Sequence, residues 1–477
     1  MSGSNVFDIV VIGGGIVGMG IAYELSKRKV SVALIERKSQ VTQGASKGNS
    51  GILHAGYDSP EGSLRAKLVT IGNRRYDDWS RELGLTVRRM GSLVVAFEDE
   101  GDAGMEHLNR LKERGERRGI PLEILGRKAL LESEPNLNRK AVAALHAPTA
   151  GSICPMRYVN FMFKHFVANG GTPFLDTEVT GFVKNGGRIT EIRTNRGDII
   201  GEVVINAAGV FGDVVSSMAG IDRYRIYPRK GEYILLEPHP SYNVNKILFP
   251  LPTEKGKGIL VIPTETGDIL LGPTSYSMGK EFKEDTTTSL YGLNEVLEKA
   301  RKLVPGLSTK LTVKTFAGNR AQSNTNDFAI EGYDEPSNFI NAIGIRSPGL
   351  TAAPAIADMV VGLVEEKAGK LEMRSDFRYM PHVSHNQPEE ALSEIRWADT
   401  ITPNLDSPSI PLIDIAWNFG IRDNLYNFSC YTNRGLGVDL GTTFQNELIR
   451  QLARRGMKVE EILYRLRGSN QVISEAS

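Results

Sequence analysis

Apolar and polar positions divide the chain into runs of different period. Residues 7–12 are almost continuously apolar, rich in valine and isoleucine and followed by glycines. That pattern predicts a strand buried on both faces. Residues 30–35 repeat it, and about 16–27 between them read as a helix. A third apolar run, 203–209, ends in Ala207-Ala208-Gly209 and precedes a short helix after Gly212-Asp213. Strand-like alternation marks 223–236 and 259–272, and 289–304 is helix-like. A glycine-marked helix start at Ser347-Pro348-Gly349 leads into an apolar helix over 355–364. Past about residue 375 the pattern changes, and 444–452 and 459–466 are amphipathic. The fold class expected is α/β with an α+β mix.

The first strand–helix junction carries candidate chemistry. Gly13, Gly15 and Gly18 form a G-x-G-x-x-G loop. Gly13 permits the tight turn, Gly15 lets a pyrophosphate reach the backbone, and Gly18 lets the helix pack closely on the sheet. Ile16 and Val17 open the helix, whose free N–H groups and positive dipole end favour an anion. Glu36, at the carboxyl end of the second strand, is placed to accept from both ribose hydroxyls. Its charge disfavours a 2′-phosphate, so NADP is not expected.

Three later features favour FAD over NAD. The loop 43–51 is small, polar and glycine-dense, with Gly44, Ser46, Asn49, Ser50 and Gly51 suited to wrapping a pyrophosphate and a flavin. The turn at Ala208-Gly209 and the helix start at Gly349 add two more close-approach points, the second facing its N–H groups to the end of the flavin that gains negative charge on reduction. Three ordinary glycine turns share this composition; their order and spacing favour the cofactor.

Length and charge narrow the picture. A chain of 477 residues predicts two to four domains. A net charge of +1 argues against nucleic acid as the main partner. Two cysteines, Cys154 and Cys430, build neither a disulfide framework nor a cysteine-ligated cluster, and no metal site is expected. With no apolar run of membrane length and no secretory leader pattern, the expectation is a cytoplasmic protein with peripheral membrane contact at most.

The segments Gly13 to Gly18, Asn49-Ser50-Gly51-Ile52-Leu53-His54-Ala55-Gly56, Gly318-Asn319-Arg320 and Gly344-Ile345-Arg346-Ser347-Pro348-Gly349 resemble the amino-acid-oxidase-type FAD oxidoreductases, over about residues 5–370. Within that superfamily the chain is similar to glycerol-3-phosphate dehydrogenases and oxidases and to L-2-hydroxyglutarate dehydrogenases. The resemblance implies a Rossmann-like FAD domain assembled from 1–80, 145–220 and 315–370. It implies an antiparallel-sheet substrate domain from 81–144 and 221–314, and a small C-terminal domain over 375–477. FAD contacts are expected at the residues already named and at Arg37, Val179, Gly318, Gly344, Ser347, Leu350 and Thr351.

Oxidising a secondary alcohol through a flavin needs a base for the hydroxyl proton. His54 is the candidate: imidazole titrates near neutrality, and the position matches the active-site histidine of the resembling oxidases. Lys257, in the Lys255-Gly256-Lys257-Gly258 turn, and Arg320 are the candidate anion holders, with Ser347 as a polar contact. A solvated hairpin tip has the same composition as the lysine turn; the resemblance favours phosphate. Arg229 and Lys230 read as sheet support. The expected reaction is oxidation of sn-glycerol 3-phosphate to dihydroxyacetone phosphate. The alternatives are an L-2-hydroxy acid dehydrogenase and a FAD subunit kept for assembly or electron relay.

Proteins of the glycerol-3-phosphate type often append a cysteine-rich iron–sulfur domain. Residues 435–454 resemble its second half, but Asp439 and Phe444 stand where cysteines fall, residues 396–398 lack the first pair, and Cys430 is alone. An unrelated helical extension fits equally. Four thiolates are missing, so no cluster is expected. Electrons then pass either to oxygen or to a redox partner subunit, bearing an iron–sulfur centre or a second flavin, docked on 380–477.

Overall fold

The structure, a computed structural model, describes residues 5–252 and 256–379. The expectations about Lys255 and about 380–477, including Cys430, Asp439 and Phe444, lie outside the described residues.

The apolar runs assemble a six-stranded sheet in the order Ala329–Gly332, Phe339–Ile343, Ile200–Asn206, Val6–Ile12, Val32–Ile35, Thr172–Phe174. Every pair is parallel except the edge pair Ala329–Gly332 with Phe339–Ile343. Burial on both faces explains the absence of alternation in these strands. Ile9 and Val11 enter one core with Met19, Trp79 and Val360, while Val10 and Ile12 enter another with Ile192, Val204 and Phe339. The helices Ile16–Ser26 and Gly349–Ala368 both contribute buried residues to the first of these cores.

A nine-stranded sheet forms the second layer system. Its longest pairing is antiparallel, Ile226–Leu236 against Thr312–Ser323, with Arg229 opposite Arg320. One pair within it is parallel, Ile247–Pro250 with Ser92–Phe97. The helix Leu290–Leu303 covers one face; the Ser289 side chain caps it, and the Ser289 N–H donates to the buried Glu232 carboxylate at 2.8 Å.

Several boundaries differ from expectation, each for a local reason. The run 259–272 is two strands, Leu260–Pro263 and Ile269–Gly272, because Gly267 at φ +102° turns the chain and Thr264 N donates to Asp268 O at 2.8 Å. The helix starts at Gly349, as marked, and runs unbroken through the apolar stretch 355–364 to Ala368 with Pro354 inside it. Proline has no N–H for the Leu350 carbonyl, and the Tyr76 hydroxyl donates to that carbonyl instead, at 2.7 Å. The strand Thr312–Ser323 spans residue 315, where the FAD domain was expected to resume, and it lies in the nine-stranded sheet. Residues just past 374 dock on the six-stranded layer: Arg374 N donates to Lys27 O at 2.8 Å and Arg378 N to Asn169 Oδ1 at 2.7 Å. The compact unit accordingly runs to Tyr379, past the boundary expected at 375. No helix among the described residues is long and apolar enough to cross a membrane.

Candidate active site

The dinucleotide turn has the backbone its glycines require. Gly13 sits at φ +111° and donates to Ile35 O at 2.8 Å; a Cβ there would overlap the Ala207 carbonyl. A Cβ on Gly18 would overlap the Gly13 carbonyl, so this glycine sets how closely helix and sheet approach. Gly15 caps the helix, and Ser46 Oγ accepts from Ile16 N at 2.8 Å beside it, leaving Val17 in the next position of the first turn. The Glu36 carboxylate accepts from Gly14 N at 2.7 Å and Lys38 N at 2.9 Å, one bond to each oxygen. Each oxygen keeps lone-pair capacity for a ribose hydroxyl. Burial raises the Glu36 pKa against the pull of these two N–H groups. Gly44 and Gly209 have open space where a side chain would be, and Val179 is buried in the core that holds Ile35. A glycine cradle, an acid beside it and a helix N-terminus fit an adenine dinucleotide.

Other residues of the expected cofactor set are engaged within the protein. Asn49 Nδ2 donates to the carbonyls of Ala45 and Ser46, and its Oδ1 accepts from Gly51 N at 2.8 Å, so it shapes the loop that carries Ser50. Arg37 stacks on Phe211 at 3.9 Å and pairs with Glu284 at 2.6 Å. Gly318 has no room for a Cβ because the Gly48 carbonyl occupies that space; its smallness seats the loop against strand Thr312–Ser323. Gly344, at φ +67°, turns the chain against Ser323. Ala208 N donates to Asn206 Oδ1 at 3.2 Å, Gly349 opens its helix, and Ser347 is exposed before it. Thr351 Oγ1 accepts from His54 N at 2.9 Å, which ties that helix to the reactive segment.

His54 follows the short strand Ile52–Leu53 and is buried against Tyr57 and Phe249, with ring centroids at 4.9 and 5.7 Å. Its Nδ1 accepts from Gly56 N at 3.0 Å and lies 3.4 Å from Asp58 Oδ1. Nε2 is buried and has no partner among the described residues. Burial pushes the imidazole pKa down to about 4, opposed by Asp58 and aided by Lys257. The ring is therefore neutral near pH 7. Lys257, expected to be open to an anion, bonds Asp58 Oδ2 at 2.7 Å. Burial alone would raise the Asp58 pKa, but His54, Lys257 and Arg65 together hold it well below the usual carboxylate range.

Arg320 donates to three carbonyls, those of Arg229 at 3.0 Å, Lys230 at 3.2 Å and Thr274 at 2.8 Å, and forms no ion pair among the described residues. Arg346 donates to Gln322 Oε1 at 2.6 Å and Asn326 Oδ1 at 2.8 Å, and its buried Nε has no partner among the described residues. Burial first, then Arg65, Arg229 and Arg320, push its pKa down to about 10. Arg65 is 5% exposed, and its side chain makes no hydrogen bond among the described residues. The neighbouring Asp327 commits its carboxylate to the backbone N–H groups of Leu64, Arg65 and Phe328. Such a set of guanidinium groups, none of them ion-paired among the described residues, has the character of an anion seat. Arg229 and Lys230 bond Ser275 and Asp285 respectively. Sequence reasoning did not single out Asp58, Arg65 or Arg346 as site residues; the available signals were the four-residue spacing of His54 and Asp58 and the place of Arg346 in the 344–349 segment.

A family model described as FAD dependent oxidoreductase matches residues 8–363. The chain belongs to this FAD-dependent oxidoreductase family. Of its relatives, a glycerol 3-phosphate dehydrogenase of Caloramator mitchellensis is 38% identical over 375 residues, covering 78% of this chain and 76% of that one. An L-2-hydroxyglutarate dehydrogenase of Escherichia coli K12 is 29% identical over 280 residues, 57% of this chain and 64% of its own. Among solved structures, a dithionite-reduced L-α-glycerophosphate oxidase of Mycoplasma pneumoniae with FAD bound superposes with a TM-score of 0.74 at 29% identity, covering 79% of this chain and all of that one. For this FAD-dependent oxidoreductase the purified protein is expected to be yellow, with FAD released into solution by heat or acid. Recovery of NAD or FMN alone contradicts the reading of the cradle.

Proposed function

We propose that the protein oxidises the secondary alcohol of sn-glycerol 3-phosphate to the ketone of dihydroxyacetone phosphate. The observation that carries this is a buried, neutral His54 in the same protein as a set of guanidinium groups, Arg65, Arg320 and Arg346, that form no ion pair among the described residues. His54 takes the hydroxyl proton, which its lowered pKa leaves it free to do at neutral pH. FAD, when bound, accepts the hydride from the carbinol carbon. The guanidinium forks grip the phosphate, which fixes the carbinol relative to His54. Ser347 supplies a polar contact at the start of the Gly349–Ala368 helix. Lys257 acts next to the base, through Asp58, rather than as a free phosphate ligand. The higher identity and longer match to the glycerol 3-phosphate dehydrogenase than to the L-2-hydroxyglutarate dehydrogenase support the phosphate substrate.

Electrons then leave to a redox partner subunit docked on residues 380–477, since the chain's two cysteines cannot hold a cluster. One assay tests both parts. With glycerol 3-phosphate and an artificial acceptor, the holoenzyme should form one ketone per two electrons, and with oxygen as sole acceptor it should turn over slowly. Absence of the ketone overturns the reaction. Oxygen consumption at the full steady-state rate by the isolated protein makes it an oxidase and removes the partner.

A further inference from the structure

Two buried polar atoms bracket the imidazole of His54 without hydrogen-bond partners among the described residues: its own Nε2 and Asp58 Oδ1. Two groups compete for Nδ1 on the ring's other side. The Gly56 N–H donates to it at 3.0 Å, whereas Asp58 Oδ1, at 3.4 Å, is an acceptor. These partners select opposite tautomers. If Nδ1 accepts from Gly56, the ring proton sits on Nε2, and the base has no lone pair for a substrate. If the proton sits on Nδ1, Asp58 Oδ1 gains its missing donor and Nε2 presents a lone pair, whose natural partner is a substrate hydroxyl. A charge-assisted bond to a carboxylate is stronger than a neutral one from a backbone N–H, so the arrival of the alcohol favours the second arrangement.

We infer that Asp58 is a positioning residue that selects the reactive tautomer of His54, with Oδ1 accepting the Nδ1 proton and Oδ2 held by Lys257. The inference rests on His54 being the base. In the step, the substrate O–H bond breaks and its proton passes to Nε2, while the hydride leaves the carbinol carbon for FAD. The resulting imidazolium faces Asp58 through Nδ1–H and the product oxygen through Nε2–H. The surroundings keep Asp58 ionised for this role. Lys257 reaches it from the turn before Leu260–Pro263, and Arg65 acts on it from the helix Leu64–Leu83. From the end of the helix Gly101–Glu116, Arg114 donates to the Asp58 carbonyl, and Arg118 donates to the carbonyls of Gly56 and Ser59. Tyr57 packs on the ring of His54. Among the described residues, Asp58 is the carboxylate paired with the His54 ring.

The test is anaerobic rapid mixing of holoenzyme variants with glycerol 3-phosphate across pH, following flavin absorbance. Asp58→Asn places an amide N–H against Nδ1 and so locks the unreactive tautomer. It should keep FAD and lower the limiting rate of flavin reduction at least about a hundredfold, the scale of a lost acid–base function. Its apparent substrate affinity should change little. The acid limb of the rate should move to lower pH, because the negative charge that favours the imidazolium is gone. Asp58→Glu should recover part of the rate. Lys257→Met, which removes a positive charge disfavouring the imidazolium, should move the limb the opposite way. A rate loss in Asp58→Asn with an unmoved limb and no recovery in Asp58→Glu overturns the role. If Asp58→Asn fails to hold FAD, the Lys257→Met limb decides, and an unmoved limb there overturns it too. A wild-type rate in His54→Ala sinks the base assignment and this inference together. A normal His54→Ala defect beside an unperturbed Asp58→Asn sinks the inference alone.

Discussion

Replacing His54 with alanine is expected to slow flavin reduction by glycerol 3-phosphate by about two to four decades, the usual scale for losing a general base. FAD should stay bound. The contact from His54 to the Gly349–Ala368 helix runs from its backbone N–H to Thr351 Oγ1, and Asn73 Nδ2 holds its carbonyl at 3.0 Å, so both survive loss of the ring. The cradle at Gly13, Gly18 and Glu36 does not use the imidazole. The residual rate reflects orientation by the arginines alone. Stopped-flow absorbance under anaerobic conditions measures the effect directly, and a variant reduced as fast as the parent removes histidine from the reaction.

Arg320→Ala is expected to lower kcat/KM for glycerol 3-phosphate by about 30- to 3,000-fold, which corresponds to roughly 2–5 kcal/mol for truncating a buried charged partner. Among the described residues Arg320 bonds carbonyl and hydroxyl oxygens and no carboxylate, so on the proposed reading its charge is met by the substrate's own. Most of the loss should appear in KM if the phosphate is gripped equally in ground and transition states. Slow turnover of unphosphorylated glycerol, which brings no anion, should respond far less. Equal losses with glycerol and glycerol 3-phosphate would show that Arg320 supports the sheet and not the phosphate.

The dinucleotide half of the fold was legible because its strands are buried on both faces and its glycines are demanded by backbone geometry, as at Gly13 and Gly18. The helix start at Gly349 was legible from its glycine, but its unbroken run through Pro354 was not, since the hydroxyl that serves the orphaned Leu350 carbonyl belongs to Tyr76, far away in the chain. At Gly318 the sequence does not show that the missing side chain makes room for the Gly48 carbonyl, since that contact exists only once strand and loop are assembled. The site was legible at His54, which follows the flavin loop, and much less so around it. A charged residue in a glycine-rich turn reads as solvated or anion-binding until its partner is seen, and the partner of Lys257 is Asp58. Arg65 and Arg346 carry ordinary surface residue types; the burial of Arg65 and of the Arg346 Nε, and their lack of ion pairs among the described residues, are properties of the assembled layers.

The proposed reaction is oxidation of a phosphorylated secondary alcohol. The most direct measurement is anaerobic addition of single substrates to the FAD-loaded protein, with the flavin absorbance followed to completion. Glycerol 3-phosphate should bleach the bound flavin fully, and L-2-hydroxyglutarate should leave it oxidised on the same timescale. Bleaching by L-2-hydroxyglutarate with none by glycerol 3-phosphate would contradict the account.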